Sequence, residues 1–404
     1  MKVAYICEPQ IGGTFSFFQQ LRPAIAPLGV DLICVPPVSA GRISASPFRG
    51  VDGVHATELS EALPEATEQL IDFLLHESCD LVMTLPCCGV LTANLPRYLP
   101  SSLRCVVRVP MMTRGAYAPT RAVANYVDAI AAVSDRVAED LARSYGVDRG
   151  RLAVIYNGVA MNEFPARSPG RDAAARLRVL YVGRISDLDK GVLLLPEMLR
   201  RVVDRAGDVE LWVVGDGPDR SKLEAAFRAH GVQDRVRMLG AVPYVQVKKL
   251  YYEVDGFILP SRFEGCPNAL MEAMAAGCAC VASRIKDSVS RIIEDGASGL
   301  LFQVGSVDDA ASAVLRLTRE PELVSRLAEG GRRRIAEGFT VEIMAEKYTE
   351  LFQRVMASPL RQMPELTVSN YSIPSAMKPT WRRWVPEPLK RLIRTWMERR
   401  GKSV

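Results

Sequence analysis

Short runs of consecutive apolar residues alternate along the chain with longer stretches in which apolar positions recur every three or four residues. That is the pattern of buried parallel strands separated by amphipathic helices. The first run, Val3 to Ile6, leads through a Gly12-Gly13-Thr14 turn into a helical pattern from Phe15 to Leu28, the opening of a βαβ unit. Further strand-like runs are expected at Val30 to Cys34, Leu81 to Leu85, Arg104 to Val107, Ala129 to Val133 and Leu152 to Ile155. Helical periodicity over Glu65 to Leu75 and Arg136 to Ser144 separates some of them. The implied architecture is α/β, a mainly parallel sheet with helices on both faces.

After Phe164 the pattern breaks into Pro165, Ala166, Arg167, Ser168, Pro169, Gly170 and Arg171, a polar stretch suited to a linker. The alternation then restarts, with strands expected at Val179 to Val182, Leu211 to Val214, Val236 to Leu239, Gly256 to Leu259 and Cys280 to Ser283. Helices over Val307 to Leu317, Glu322 to Ala336 and Val341 to Met356 follow. The expected organisation is an N-terminal domain over 1–165, a second α/β domain over 166–340, and a C-terminal helix with a tail over 341–404. In open α/β sheets ligands sit beyond the carboxyl ends of the strands, so two such domains are expected to face one another across a cleft.

Composition narrows this picture. The 404 residues are 48% hydrophobic and 24% charged, and no apolar run reaches the ~20 residues that span a bilayer. No export signal is read at Met1 to Cys7, so a cytoplasmic location is expected. Nine cysteines, an odd number without a CxxC pair, read as reduced core residues, with Cys87-Cys88 and Cys278/Cys280 the spacings that merit inspection for metal or redox chemistry. The net charge of +5 is concentrated at the end of the chain: from Tyr371 onward nine Lys or Arg stand against Glu387 and Glu398. A basic tail on a nearly neutral body points away from nucleic acid and toward an anionic surface.

Two segments carry chemistry. Beyond the strand ending at Val182, Arg184 and Lys190 flank a helix start: a guanidinium that can fork two phosphate oxygens and a compact ammonium, as a diphosphate requires. A solvated loop with two surface cations is the alternative reading of that segment alone. Beyond Leu259 the chain runs Pro260, Ser261, Arg262, Phe263, Glu264, Gly265, Cys266, Pro267, Asn268, with Glu272 on the helix that follows. Pro267 suits the first turn of that helix. The tilt of helical side chains toward the N-terminus turns Glu272 back toward the strand exits, where a carboxylate can accept both hydroxyls of a ribose. Two solvated glutamates are again the alternative.

With their neighbours these residues resemble a known family. Val182-Gly183-Arg184 with Lys190-Gly191, Val214-Gly215-Asp216-Gly217-Pro218, the Glu264-x7-Glu272 segment, Val154 to Val159 and the run through Gly299, Leu300 and Phe302 are similar to the family 4 retaining glycosyltransferases of GT-B fold. The likeness extends over residues 2–357. It implies two Rossmann-like domains and a metal-independent, retaining transfer of a sugar from a nucleoside-diphosphate sugar to a hydroxyl acceptor, saccharide or lipid-linked, without cofactor. It further implies that Arg184 and Lys190 hold the donor diphosphate, Glu272 the ribose and Glu264 the donor sugar. Gly12 and Gly13 match the family's N-terminal glycine loop, Gly240 to Val242 the stretch along the base, and Gly265 and Asn268 the sugar-facing turn. The family's histidine after an N-domain strand is absent from Val106 to Arg114, where Arg108 and Arg114 are the nearest cations. That absence motivates a second reading, a GT-B scaffold that holds a nucleotide sugar with little transfer.

Two further readings weigh less. A dehydrogenase would carry Gly-x-Gly-x-x-Gly after the first strand, and the chain does not. A glycoside hydrolase built on Glu264 and Glu272 has no need of two diphosphate-ready cations. In the tail, Leu389, Leu392, Ile393, Trp396 and Met397 fall on one helical stripe among Lys390, Arg391, Arg394, Arg399 and Arg400, close to Trp381 and Trp384. This pattern over 381–400 suits peripheral contact with an anionic membrane; packing of the stripe on the N-terminal domain is the alternative.

Overall fold

The computed structural model describes residues 1–10, 12–44, 50–166, 176–205, 207–361 and 366–378. Most of the expected linker and the whole membrane-contact stripe at 381–400 lie outside the described residues. The chain divides into two compact units, one built on Met1–Gly158 and the segment from Val341, the other on Val159–Thr340.

The first unit holds six parallel strands: β1 (Lys2–Ile6), β2 (Asp31–Val35), β3 (Leu81–Thr84), β4 (Arg104–Val109), β5 (Ala129–Ala132) and β6 (Leu152–Val154), in the order β2-β1-β3-β4-β5-β6. The second repeats the plan with β7 (Leu177–Val182), β8 (Val209–Val214), β9 (Val236–Gly240), β10 (Gly256–Leu259), β11 (Ala279–Ser283) and β12 (Leu300–Phe302), ordered β12-β11-β10-β7-β8-β9. Each strand that the apolar runs predicted is present, shifted by a residue or two. β12 was not among them; its residues entered only through the family resemblance at Leu300 and Phe302. Central strands β3, β4, β5, β10 and β11 are buried at every position, as helices on both faces of a parallel sheet demand, whereas the edge strand β9 alternates between partly buried and exposed.

The helix Val341–Ala357, expected to open a separate C-terminal segment, instead belongs to the first unit. Its buried stripe includes Met344, Tyr348, Phe352 and Val355, and Tyr348 meets Phe17 of the helix Gly13–Ile25 edge to face with centroids 5.4 Å apart. Such a face costs free energy in water at about 1.5–3 kcal/mol per large side chain, so it closes over the helix beside β1. The chain beyond it runs along the same unit. Tyr371 stacks on Tyr98 at 4.9 Å, and the backbone of Ser372 is held by Asn94, Arg97 and Tyr98.

One buried charge cluster secures the start of that return. Asp128, at the entrance to β5, accepts from Arg104 at 3.1 Å and from the amide of Cys105 at 2.7 Å, and pairs with Arg361 at 3.2 Å. Arg104 also donates to the carbonyls of Ser358 and Pro359, and Arg361 to those of Leu103 and Tyr126. Removing the shared carboxylate leaves two largely buried guanidiniums without their counter-charge. Asp128→Ala is therefore expected to lower unfolding free energy by about 3–5 kcal/mol, measured by urea denaturation.

Candidate functional site

In the second unit the exits of four neighbouring strands stand in a row. β10 leads to Pro260, β7 to Gly183, β8 to Gly215, and β9 ends on Gly240. Backbone hydrogen bonds lace these exits together: Gly215 donates to the Gly240 carbonyl at 2.7 Å, Ile185 to Asp216 at 2.8 Å, and Arg262 to Asp189 at 2.8 Å. Two of the contacts admit no side chain. A Cβ on Gly215 would lie 1.9 Å from the Gly183 carbonyl oxygen, and one on Gly191, whose φ is +63°, would lie 2.3 Å from that of Pro260. Glycine at both positions is what lets the loops after β7, β8 and β10 close on one another.

The loop after β7 contains a single helical turn, Asp187–Lys190, ended by Gly191 in the left-handed conformation. Buried Asp187 accepts from the Leu193 amide at 3.0 Å and pairs with Arg262 at 3.5 Å, which ties this turn to the loop after β10. Lys190 is thereby aimed at Glu264, its Nζ donating to Oε1 at 2.7 Å. Ser261 Oγ donates to the same oxygen at 2.7 Å, and the hydroxyl of buried Ser288 bonds the carbonyls of Glu264 and Gly265 at 2.8 and 2.9 Å. Glu264 is 8% exposed, so its carboxylate is held by two groups, and its backbone by a third, in a largely dry setting.

Arg184 differs: its side chain is 64% exposed, and its guanidinium touches Asp189 Oδ2 at 2.5 Å. Burial pushes the Asp189 carboxyl up, but bonds from Ser186 and Arg184 and the charge of Lys190 outweigh it and leave the group below its usual range. Asp189 thus remains an anion that restrains Arg184 beside Lys190. The two cations stand on one loop, the Lys190 ammonium largely covered and paired with Glu264, the Arg184 guanidinium mostly solvent-exposed and paired with Asp189.

Glu272 lies in the helix Asn268–Ala275, which starts one residue after Pro267 rather than including it, because Pro267 keeps an extended ψ of 97°. The carboxylate of Glu272 is 8% exposed. Tyr244 donates to Oε1 and Tyr251 to Oε2, each at 3.1 Å. Burial raises the pKa of Glu272 above its ordinary 4.5, against the two phenol hydrogen bonds. These tyrosines were absent from the motif reading. Their seven-residue spacing, two helical turns apart on Tyr244–Glu253, was the available signal. Tyr244 follows Gly240, Val242 and Pro243 directly, so the stretch after β9 also leads to Glu272.

The second unit therefore contains Arg184, Lys190, Glu264, Gly265, Asn268, Glu272, Gly240 and Val242. Gly12 and Gly13 belong to the first, at the start of the helix after β1. Arg108, considered for the missing histidine, is 1% exposed on β4, with its guanidinium 3.8 Å above the Phe17 ring and Nη2 donating to Asn157 at 2.7 Å. It is a core residue of the first unit, whereas Arg114 is exposed at the start of the helix Arg114–Val123. Six of the nine cysteines are buried, and Cys87, Cys88 and Cys266 are partly so.

Comparison with known proteins bears on the family and the fold. Residues 176–320 match the family described as Glycosyl transferases group 1, and residues 107–163 match Glycosyltransferase Family 4. Lipopolysaccharide 1,6-galactosyltransferase of Salmonella typhimurium is 30% identical over 46% of this chain and 51% of its own length. The amylovoran biosynthesis glycosyltransferase AmsK of Erwinia amylovora is 30% identical over 52% of each chain. Among solved structures, a glycosyltransferase from Rickettsia africae superposes with a TM-score of 0.70 at 14% identity, covering 89% of this chain and 99% of its own. HepE from Anabaena, solved with UDP, superposes with a TM-score of 0.72 at 16% identity, covering 88% and 100%. The chain belongs to the group 1 glycosyltransferases of GT-B fold. In sequence it spans about half the length of the curated relatives it matches.

The buried state of Glu272 has a measurable cost. Its proton is held to higher pH in the folded chain than in the unfolded one, so stability declines as pH rises from below 4.5 through the folded pKa. Glu272→Gln removes that titration. The variant is expected to gain stability relative to the parent as pH rises from acid to neutral, read by urea denaturation of the ligand-free protein across that range.

Proposed function

We propose that the chain transfers a sugar from a nucleoside-diphosphate sugar to a hydroxyl of a saccharide or lipid-linked acceptor, with retention at the anomeric carbon and without a metal ion. The observation that carries this reading is the bond from Lys190 to Glu264 across two adjacent strand exits, with Arg184 on the same loop as the lysine. A leaving diphosphate needs positive charge already in place as the bond to the sugar breaks. Lys190 would supply it from a fixed position, and Arg184 would exchange Asp189 for a phosphate oxygen. Glu264 would accept sugar hydroxyls through the oxygen that Lys190 and Ser261 leave free, and Glu272 would receive the ribose.

The relatives' names speak of lipopolysaccharide and amylovoran biosynthesis, so the proposed setting is assembly of a surface polysaccharide or glycolipid. No helix among the described residues is long and apolar enough to cross a membrane. The basic, tryptophan-bearing stretch at 381–400 would rest peripherally on an anionic membrane carrying a lipid-linked acceptor. The HepE structures hold UDP and UDP-glucose, which makes uridine donors the first to test.

Nucleotide sugars are to be screened by thermal shift, and donor hydrolysis and transfer then measured with those that bind, with and without a chelator. Lys190→Ala is expected to reduce turnover by about 10²–10³-fold. Full turnover in that variant would sink the reading. Donor binding without hydrolysis or transfer to any acceptor would favour the scaffold alternative, and loss of turnover with chelator would overturn metal independence.

A further inference from the structure

Glu272 is buried, yet among the described residues each of its oxygens accepts a hydrogen bond from one phenol, Tyr244 at Oε1 and Tyr251 at Oε2. An ionised carboxylate oxygen has two lone pairs in the carboxylate plane, so one acceptor position remains on each. Two such positions on one carboxylate match a vicinal diol, whose hydroxyls can each donate to one oxygen. The phenols themselves stay protonated: burial holds both hydroxyls well above their ordinary pKa, so they act as donors throughout the neutral range. The two are not equivalent. Tyr251 is fully buried, and its one hydroxyl proton lies between Glu272 Oε2 at 3.1 Å and the Ala269 carbonyl at 3.3 Å, the carboxylate oxygen being the nearer acceptor, while Tyr244 is 44% exposed, with Lys248 Nζ 5.2 Å from its ring centroid.

Resting on the reading that Glu272 receives the donor ribose, we propose that Tyr251 and Tyr244 form a clamp that orients this carboxylate and makes the site select ribonucleoside over 2′-deoxyribonucleoside diphosphates. They are positioning residues, since they act through Glu272. The selection follows from satisfiability. With both phenols in place, a ribose completes the carboxylate, whereas a deoxyribose leaves one buried acceptor position unmet. Without a phenol, the carboxylate is free to turn, and the second ribose hydroxyl no longer has an aligned partner.

The clamp also sets a pH limb. Around Glu272 the hydroxyls of Tyr244 and Tyr251 favour the ionised form, Glu163 opposes it and Lys248 supports it, with Lys248 and Glu163 paired at 3.1 Å. The Cys278 thiol donates to the Tyr251 backbone carbonyl at 3.2 Å. Loss of either phenol raises the pH at which Glu272 takes up a proton, so the acid limb of nucleotide binding moves to higher pH.

The test is calorimetric titration of the full chain with UDP, ADP and GDP and with their 2′-deoxy counterparts, across the acid limb. Wild type, Tyr251→Phe, Tyr244→Phe and Glu272→Ala are compared, with circular dichroism as the check of folding. Wild type is expected to favour the ribo form of the nucleotide it binds by at least about tenfold, a net hydrogen bond to a charged group. Each phenylalanine variant is expected to lose much of that ratio, to bind the ribo form about tenfold more weakly, and to show the limb at higher pH. Should Tyr251→Phe fail to fold, the partly exposed Tyr244 supplies the same three readouts. Phenylalanine variants with unchanged ratio and unchanged limb, beside a Glu272→Ala that loses binding, would overturn the clamp and leave the ribose assignment standing. Undiminished binding by Glu272→Ala would overturn the ribose assignment itself.

Discussion

Lys190 and Glu264 stand 74 residues apart in the chain and meet at 2.7 Å, and the local structure of the second unit is arranged to make that meeting possible. The ammonium needs a turn that ends beneath it, which Asp187–Lys190 and the left-handed Gly191 provide. The carboxylate needs a loop that passes close by, which the glycine contact on the Pro260 carbonyl permits. Ser261 and Ser288 then hold the carboxylate and its backbone. A charge pair formed at a sheet's carboxyl edge in this way is weak as a source of stability and strong as a source of position.

Buried charge is handled in two ways within the chain. In the first unit Asp128 is surrounded by Arg104, Arg361 and a backbone amide, and both arginines also donate to backbone carbonyls, so the cluster works as a fastener for the returning chain. In the second unit Glu272 is met by neutral phenols and Glu264 by an ammonium and a hydroxyl, and neither is saturated. Saturated ionic clusters suit architecture. Partly satisfied carboxylates at strand exits suit ligands, because the missing hydrogen bonds are supplied on binding.

This division bears on the proposed chemistry. Phosphate and sugar recognition call for charges at fixed positions before the substrate arrives, since reorganisation during reaction raises the barrier. Lys190 meets that condition through Glu264, while Arg184 keeps an exposed guanidinium restrained by Asp189. One cation is largely covered and the other mostly exposed, each paired with a carboxylate.

Much of the fold was legible in the order of residues. Unbroken apolar runs such as Phe257 to Leu259 and Val179 to Val182 announce strands covered on both faces, and every strand so expected is found. The motif residues around Arg184, Lys190, Glu264 and Glu272 were legible too, because each follows a strand and ligands gather there. What the linear pattern could not carry were partners drawn from other elements. Tyr244 and Tyr251 look like ordinary helix residues until the sheet brings their helix beside Glu272. Arg108 looks like a candidate cation until β4 turns it onto Phe17. Periodicity records which face of an element avoids water. Which acceptor a buried donor finds depends on strand order and loop closure, and these exist only once the chain is folded.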